Sequence, residues 1–385
     1  MVSFGLCLQC KARFGERGVV YGVKDPSRCH ICSGVLSGAQ ALAKSAIAQS
    51  QEFEWNSFSV SSSFQKAALI REEKVADYFV PGEYTSLKNS ANRELSAMIS
   101  SATGRIPDSK NPDALFFFDF ISSNARVEPA PVFVFGHYLK LSRGHCQSRW
   151  HCHLCGGKGC GSCKGTGSNY PSVEEELGRP LAKAFGAGGF TLHASGREDV
   201  DVRALGTGRP FVMTLRRPSK RSIDLRNLES FLSKNPSVRA VGLRMAGKNF
   251  ADALCASHFD KEYSTLVSAD RPLGTQDAEK IASLSGTVLF QQTPRRVLSR
   301  RTDMVRKSKI IAISARQEPS GKLRISVLAE AGTYIKELIS SDSGRTKPSV
   351  SEILGCSAVC DELDLVAVRD SFLGTIRTDY SKPRK

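Results

Sequence analysis

Four Cys-x2-Cys pairs constrain this chain more than any other feature of its sequence. Two pairs lie near its start, separated by eighteen residues: Cys7 and Cys10, then Cys29 and Cys32. Each pair can offer two sulfurs from a tight turn, and four thiolates complete a tetrahedron around one zinc ion. The spacing therefore predicts a structural zinc ribbon. His30 lies inside the second pair and could replace a sulfur, although four thiolates suffice.

A second cysteine quartet lies within two Cys-x2-Cys-x-Gly-x-Gly repeats, "CHLCGGKG" and "CGSCKGTG". Its members are Cys152, Cys155, Cys160 and Cys163, with Cys146 as a spare candidate ligand. The glycines let the backbone fold back so that the sulfurs can point at one ion, and we expect a second zinc site. The repeats resemble the cysteine-rich module of DnaJ-type co-chaperones, but the chain has no His-Pro-Asp tripeptide and no J-domain helix pattern.

The use of the twelve cysteines points to metal rather than to disulfides. The chain is long and carries no secretion signal, and its paired spacings are those of metal ligands. Cys255, Cys356 and Cys360 are isolated, and we expect them to pack in the core.

Basic residues exceed acidic residues and are clustered along the chain. There are 54 lysines and arginines against 38 acids, a net charge of +16. The excess is concentrated in four segments, residues 215–221, 294–309, 343–348 and 381–385. Any one of them would more often be a solvated loop. Together they favour a nucleic-acid partner, because clustered cations gain free energy by releasing counterions from a phosphate backbone.

No segment predicts membrane insertion or secretion. The first ten residues lack a basic flank and a long apolar stretch, and runs such as "DALFFFDF" are far too short to span a bilayer. We therefore expect a cytoplasmic protein.

The order of helices and strands predicts an α+β protein with two or more domains. At 385 residues the chain exceeds the length at which one core usually keeps growing. In the N-terminal half, helices predicted at 39–50 and 86–100 accompany strands at 113–120 and 131–142. Over residues 171–385 we expect a mixed, mostly antiparallel sheet with flanking helices.

One glycine-rich loop holds two aspartates just after an arginine. The segment "HASGREDVDVRALGTGRPF" (residues 193–211) contains Asp199 and Asp201, which face the same side if the backbone is extended. An aspartate in such a loop is, on its own, more often a turn residue.

Three motifs in order change that interpretation. The segment "GREDVDVRALG" (196–206) is similar to the Gly-Arg-Thr-Asp loop of the tRNA pseudouridine synthase A family. The segment "EAGTYIKELI" (330–339) is similar to the Gly-Thr-Tyr-Ile-Arg motif of the synthase B family, and "GRTKPSV" (344–350) follows it. Each motif alone is weak. Together they resemble the archaeal and eukaryotic tRNA pseudouridine 54/55 synthases, the Pus-ten family, over nearly the whole chain.

The resemblance implies four parts of the chain. They are a zinc-ribbon head (1–38), a THUMP-related RNA-binding domain (39–145), a Cys/Gly-rich knot and linker (146–170) and a pseudouridine synthase catalytic domain (171–385). The substrate would be uridine 54, uridine 55 or both in the T-loop of tRNA. The THUMP-related domain would hold the acceptor stem and CCA end.

The resemblance also implies a role for each matching residue. Asp199 would be the nucleophile, Tyr263 in "KEYSTL" would stack on the target base, and Tyr334 would line the same pocket. Lys336 occupies the place where the synthase B motif has an arginine paired with the catalytic carboxylate. A lysine supplies the charge but not a bidentate fork.

Two further positions flank the catalytic loop. Arg197 precedes Asp199 as in the Arg-Thr-Asp pattern, which favours Asp199 over Asp201, and we assign Asp201 a structural role. Arg209, in "GTGRPF", could reach a phosphate or brace the loop, and the sequence leaves both roles open.

The chemistry itself explains these residue types. Isomerisation breaks the N1–C1′ bond of uridine, rotates the uracil and rejoins it through C5, so no organic cofactor is needed. It requires a carboxylate that a nearby cation, Arg197 or Lys336, keeps ionised despite burial by the substrate. It also requires an aromatic face for the unstacked base. Whether the carboxylate attacks the sugar or abstracts a proton stays open.

Two other classes of protein are alternatives. A non-catalytic zinc-ribbon RNA-binding protein with an inactive synthase fold would bind tRNA without releasing tritium from labelled uracil. The joint presence of Asp199, Tyr263 and Tyr334 argues against it. A co-chaperone built on the cysteine repeats would bind unfolded protein, and the missing J-domain argues against that.

Overall fold

The computed structural model describes residues 3–16, 18–299 and 301–371, so the predicted basic segment 381–385 lies outside the described residues. The chain forms two compact units. The first comprises Met1–Pro131, Phe185–Gly188 and Arg216–Ile223, and the second comprises Val132–Ala184, Gly189–Leu215 and Asp224–Lys385. None of the helices in the described ranges has the length and apolar character that crossing a membrane requires.

The first unit combines a small cysteine-bearing head with a four-stranded sheet. In chain order its elements are β1 (Phe4–Leu6), α1 (Leu8–Lys11), β2 (Val20–Gly22), α2 (Ala39–Gln49), β3 (Ser57–Ser63), α3 (Lys66–Ala76), α4 (Leu87–Thr103), β4 (Ile106–Pro107), β5 (Ala114–Asp119) and β6 (Asn124–Pro129). Strands β1 and β2 pair in parallel, and the larger sheet has the order β4-β3-β5-β6. The predicted helices at 39–50 and 86–100 and the strand at 113–120 are confirmed.

Local sequence explains why helix α4 and strand β5 form in the first unit. Helix α4 begins after Ser86, whose side chain accepts a hydrogen bond from the Asn89 amide, and ends at Gly104 with a φ of +69°. Strand β5 alternates between buried and half-buried side chains, so that Phe116 and Phe118 point into the core. Phe116 contacts Trp55 edge-on, with ring centroids 5.3 Å apart.

The second unit is built on one ten-stranded sheet. Its elements are β7 (Val132–Lys140), α5 (Val173–Phe185), β8 (Gly189–Ala194), β9 (Arg203–Arg216), α6 (Leu225–Leu232), β10 (Val238–Ala246), α7 (Lys248–Ala256), β11 (Lys261–Ala269), α8 (Thr275–Ala282), β12 (Val288–Gln292), β13 (Val305–Gln317), β14 (Leu323–Ala329), α9 (Ile335–Ser340), β15 (Thr346–Lys347), α10 (Val350–Leu354) and β16 (Ala358–Val368). The strand order is β10-β7-β9-β16-β11-β14-β13-β12-β15, with β8 beside β9. Neighbours along this order are antiparallel apart from β9 and β16, which confirms the predicted mixed, mostly antiparallel sheet.

Two features of this sheet position the site. Strand β7 pairs with β9 and β10, whereas the sequence analysis places it in the N-terminal RNA-binding domain. The helices α8, α9 and α10 bury their apolar side chains, such as Ile281, Leu338 and Val350, against the inner faces of β11, β13 and β14. This core supports the strand that carries Tyr263.

Candidate active site

A cleft of about 310 Å³ in the second unit brings together most of the predicted substrate-binding residues. Its lining includes Arg197, Asp199, Arg209, Tyr263 and Tyr334. The side chains come from the loop before β9, from β9 and β11, and from the turn before α9. The resemblance therefore selected residues that are far apart in sequence but share one cavity.

The carboxylate of Asp199 is paired with two cations. Arg296 donates from Nη1 to Oδ2 of Asp199 at 2.5 Å, and Nζ of Lys336 lies 3.5 Å from the same oxygen. The Asp199 side chain is 40% exposed, so it faces the open cleft rather than the core. The pairing places positive charge next to a carboxylate that lines the cavity.

The sequence analysis did not find Arg296. Its guanidinium is held by Glu337, a buried residue of α9, through Nε at 2.6 Å from Oε1 and Nη2 at 3.3 Å from Oε2. Burial opposes the charge of Arg296, but the carboxylates of Glu337 and Asp199 outweigh burial and raise its pKa above the ordinary value. The forked contact of Arg296 is thus with Glu337, and Asp199 receives a single hydrogen bond from the guanidinium that this fork orients.

Lys336 pairs more closely with Asp201 than with Asp199. Its Nζ lies 2.8 and 2.7 Å from the two carboxylate oxygens of Asp201. Burial opposes the ionisation of Asp201, yet the hydrogen bond and charge of Lys336 lower the pKa of Asp201 below its ordinary value. This ion pair is consistent with the structural role assigned to Asp201, which stays a prediction.

Arg197 lines the cleft without pairing with Asp199 in the described ion pairs. Its guanidinium lies 5.9 Å from the centre of the Trp150 ring, a cation–π contact. Among the described ion pairs, the cations that contact the Asp199 carboxylate are those of Arg296 and Lys336. The roles of Lys336 and Arg197 in the reaction stay predictions.

A buried lysine holds the backbone of the catalytic loop. Nζ of Lys140, at the end of β7, donates to the carbonyl oxygens of His145 at 2.6 Å, Asp199 at 2.8 Å and Val200 at 3.1 Å. Burial lowers the pKa of Lys140. Three carbonyl acceptors match the three hydrogens of an ammonium group. Lys140 therefore holds the backbone of the loop that carries Asp199 in place.

A buried ion pair also braces this loop. Nε of Arg209 lies 2.8 Å from Oε2 of Glu198, and Nη1 donates to the carbonyl oxygen of Ser195 at 2.7 Å. The hydroxyl of Tyr138 lies 2.8 Å from the Glu198 carboxylate. Gly196 has a φ of +84°, and a Cβ there would lie 2.9 Å from Nη1 of Arg209. Of the two roles left open for Arg209, this burial favours the loop brace.

Two tyrosines occupy the cleft walls. Tyr263 is half-buried on β11, and burial raises the pKa of its phenol. Tyr334 precedes α9, and Gln291 clasps its backbone, accepting from the amide at 2.8 Å and donating to the carbonyl at 2.9 Å. The cleft thus combines a carboxylate and two tyrosines in one cavity, the side chains that a nucleophilic attack on an unstacked pyrimidine nucleotide needs.

The first cysteine quartet has the geometry of a zinc site. All four thiols are buried and lie within 4.8 Å of one another, and Sγ of Cys7 is 3.6 Å from Sγ of Cys32. Sulfurs at Zn–S distances of 2.3 Å around a tetrahedral ion lie about 3.8 Å apart, so the quartet fits zinc. His30 does not belong to the quartet, and its ring packs on Phe4 at 4.9 Å.

The second quartet is equally compact. Its sulfur–sulfur distances are 3.9 Å (Cys152 to Cys160), 3.8 Å (Cys155 to Cys163) and 3.7 Å (Cys160 to Cys163). Backbone amides of Gly159 and Gly167 donate to the sulfurs at 3.2 and 3.3 Å, which favours thiolates. The four sulfurs fit zinc. In each quartet, a zinc ion would crosslink the two Cys-x2-Cys turns.

The remaining cysteines divide between core and surface. Cys146 is buried outside the quartet, with Sγ 3.4 Å from the carbonyl oxygen of Pro171. Cys356 and Cys360 are half-buried against the core. The prediction that Cys255 packs in the core is wrong, because it lies exposed near the end of α7.

Two family models match this chain. The family model described as "Pus10, C-terminal" matches residues 133–369, and "Pus10 THUMP domain, archaeal" matches residues 42–119. Pus10 and Pus-ten are two spellings of the same family name. The predicted THUMP-related domain is thereby confirmed for the matched part of the first unit.

Curated relatives are similar over most of their length. The protein named tRNA pseudouridine synthase Pus10 from Korarchaeum cryptofilum is 38% identical over 88% of this chain and 92% of its own. The protein of the same name from Archaeoglobus fulgidus is 34% identical over 94% of this chain and 99% of its own. A solved Cbf5-Nop10-Gar1 complex aligns over 51% of this chain and 45% of the solved chain, with 18% identity and a TM-score of 0.34. On its match to the two family models and to these relatives, the chain belongs to the Pus10 family.

Proposed function

We propose that this chain is a tRNA pseudouridine synthase that isomerises uridine 54, uridine 55 or both in the T-loop. The relatives from Korarchaeum and Archaeoglobus carry the name tRNA pseudouridine synthase. The single observation that carries the proposal is the pairing of Asp199 with Arg296 at the mouth of the cleft that Tyr263 and Tyr334 line.

Asp199 is the proposed nucleophile or base. Both cations contact Oδ2, so the described ion pairs leave Oδ1 of Asp199 for the substrate. The reaction breaks the N1–C1′ bond, rotates the uracil and forms the C5–C1′ bond. The C5 proton leaves to solvent, and N1 takes up a proton in exchange. No electrons are gained or lost, and no organic cofactor takes part. Whether Oδ1 bonds to the sugar or removes a proton, it needs the charge that Arg296 sustains.

The target base would leave its stack and enter between the tyrosines. Tyr263 is the proposed stacking partner, and Tyr334 the second wall of the pocket. Arg197 and Lys336 are the proposed contacts to the surrounding nucleotide. Arg209 is proposed to act through the loop, because its side chain is only 2% exposed.

The remaining parts of the chain are proposed to bind tRNA and to hold structural zinc. The match of the archaeal Pus10 THUMP model to residues 42–119 supports a grip on the acceptor stem and CCA end. We keep residues 1–38, 39–145, 146–170 and 171–385 as the proposed functional parts, except that β7 (Val132–Lys140) belongs to the sheet of the second unit. Both quartets are proposed zinc sites, and we place the enzyme in the cytoplasm with its substrate.

The test is to map pseudouridine in an unmodified tRNA transcript after incubation with the full chain. Carbodiimide labelling followed by primer extension should stop at position 54, position 55 or both. Transcripts with cytidine at either position separate the two sites. The Asp199→Asn variant is the matched control and should leave every position unlabelled. Labelling elsewhere in the tRNA, or none with the wild-type chain, would contradict the proposal.

A further inference from the structure

The outward face of one β-hairpin in the second unit carries an aromatic ring between lysines. Phe290 of β12 pairs directly with Lys307 of β13 on one side and with Lys347 of β15 on the other. Directly paired residues project from the same face of a sheet, with Cβ atoms about 5 Å apart. The same face continues into neighbouring positions, and we call its six residues the hairpin platform: Val288, Phe290, Val305, Lys307, Lys309 and Lys347.

The apolar members of the hairpin platform are open to solvent. Phe290 is 52% exposed and Val305 is 60% exposed, whereas Leu289 and Gln291, which alternate with Phe290 along β12, are buried. Strand β12 thus has a packed inner face and an outer face that is also apolar. An outer strand face normally carries polar side chains, so a large exposed ring here indicates a binding surface.

The lysines of the hairpin platform are available for an external partner. Within the described residues, the structure records no ion pair for Lys307, Lys309 or Lys347. Three free ammonium groups around an exposed ring complement a nucleic-acid strand, because a base can stack on the ring while phosphates contact the cations. A protein or lipid partner would not require this alternation.

The hairpin platform is also continuous with the active site through the chain. The segment between β12 and β13 carries Arg296 and Arg301, which line the cleft. On the inner face of β12, Gln291 holds the backbone of Tyr334. The β12–β13 hairpin therefore contributes both cleft residues and five of the six residues of the hairpin platform, the sixth being Lys347 of β15.

We propose that the hairpin platform binds the tRNA strand that flanks the target uridine, with an unpaired base stacked on Phe290. The lysines contact the adjacent phosphates. This inference rests on the proposed function for its choice of tRNA. Lysines near a sheet edge also discourage edge-to-edge association, but that role does not account for an exposed phenylalanine between them.

The first experiment measures the affinity of the full chain for an unmodified tRNA transcript by fluorescence anisotropy. Phe290→Ala should lose about tenfold in affinity, the contribution of one base–aromatic stack, and Phe290→Tyr should keep most of it. Val359→Ala is the matched control, since Val359 is also 52% exposed on a strand of the same sheet, β16. Single-stranded oligouridine should compete with tRNA for the wild-type chain and should compete less well for Phe290→Ala. The potency of duplex RNA as a competitor should be the same for both proteins.

The second experiment measures how the affinity depends on salt. Replacing Lys307, Lys309 and Lys347 together by alanine should lower the slope of log affinity against log salt by about two to three, because each phosphate contact releases close to one counterion. Lys183→Ala, an exposed lysine on α5, is the control and should leave the slope unchanged. Equal affinity of Phe290→Ala and Val359→Ala, with an unchanged slope in the triple variant, would overturn the inference.

The two hypotheses fail in different assays. Pseudouridine formation by the wild-type chain tests the proposed function and does not depend on the hairpin platform. If wild-type chain forms pseudouridine and Phe290→Ala binds tRNA as tightly as wild type, only the inference is wrong. If wild-type chain binds tRNA through Phe290 but modifies no uridine, only the proposed function is wrong.

Discussion

Oδ2 of Asp199 accepts a hydrogen bond from Nη1 of Arg296 at 2.5 Å. The same guanidinium donates from Nε to the buried carboxylate of Glu337 at 2.6 Å. Glu337 therefore orients the guanidinium of Arg296, which donates to Asp199. A fixed cation stabilises charge on the Asp199 carboxylate without having to reorganise during the reaction.

Asp199→Asn should abolish isomerisation, because the amide is neither a nucleophile nor a base. We expect a loss of at least about a thousandfold in tritium release from tRNA labelled at C5 of uracil. Asp201→Asn is the matched control, since Asp201 lies two residues away and pairs with Lys336 rather than Arg296. It should retain activity within about tenfold of wild type. Full activity of Asp199→Asn would refute the assignment, provided that both variants bind tRNA like wild type.

Arg296→Met should reduce the single-turnover rate by about a hundredfold or more at saturating enzyme, because the closest cation to Oδ2 among the described ion pairs is lost. Lys336→Met should cost less, since its Nζ lies 3.5 Å from that oxygen. A larger loss with Lys336→Met would contradict the role given to Arg296.

The Arg296 variant needs a control for folding, because it leaves the buried Glu337 carboxylate unpaired. Glu337→Gln combined with Arg296→Met removes that charge. The double variant should recover thermal stability without recovering activity, which separates a catalytic from a structural defect.

The sequence could predict Asp199 and Tyr334 because each lies inside a short contiguous motif. Arg296 is 97 residues from Asp199 and stands in a stretch with several other arginines, any of which could have been the partner. The basic segment 294–309 was singled out as a whole. Only the long-range fold, which brings β12 beside α9, decides which guanidinium reaches the loop.

The same limit applies to the fold. Helix and strand positions follow from local patterns, and the strand at 131–142 was predicted as such. Its pairing with β9 and β10 is non-local and could not be predicted from its own residues. The position of strand β11 does not follow from a simple alternation of apolar and polar residues, because Lys261 at its start is itself buried.

Metal analysis of the purified chain should find about two zinc ions per chain. Cys29→Ser should lose one ion from the first quartet, and Cys160→Ser one from the second, because each removes one of four ligands. Cys255→Ser is the control, since Cys255 is exposed and outside both quartets. Because structural zinc contributes directly to folding, both ligand variants should also melt at lower temperature. A zinc content unaffected by Cys160→Ser would exclude the second site.

The contribution of Lys261 to the stability of the protein should rise with pH between about 8 and 10. Burial, with the nearby charge of Arg209, lowers the pKa of Lys261 to about 8, and its Nζ donates to the carbonyl oxygen of Phe259 at 2.7 Å. In the unfolded chain a lysine keeps its proton up to about pH 10.4. Below pH 8 both states are protonated, and the cost of burying the charge is fully present. Between the two values the folded state holds fewer protons, so the free energy of unfolding rises by at most about 1.4 kcal/mol per pH unit.

Urea unfolding of wild type and Lys261→Met at constant zinc measures this contribution. The free energy of unfolding of wild type minus that of Lys261→Met should be flat from pH 6 to 7.5 and should then increase towards pH 10. The exposed Lys183 provides the control, because Lys183→Met should give a difference that stays level over the whole range. A Lys261→Met difference that is also level from pH 6 to 10 would show that Lys261 titrates alike in the folded and unfolded chain. The carbonyl of Phe259 would then compensate for burial of the ammonium, and the lowered pKa would be wrong.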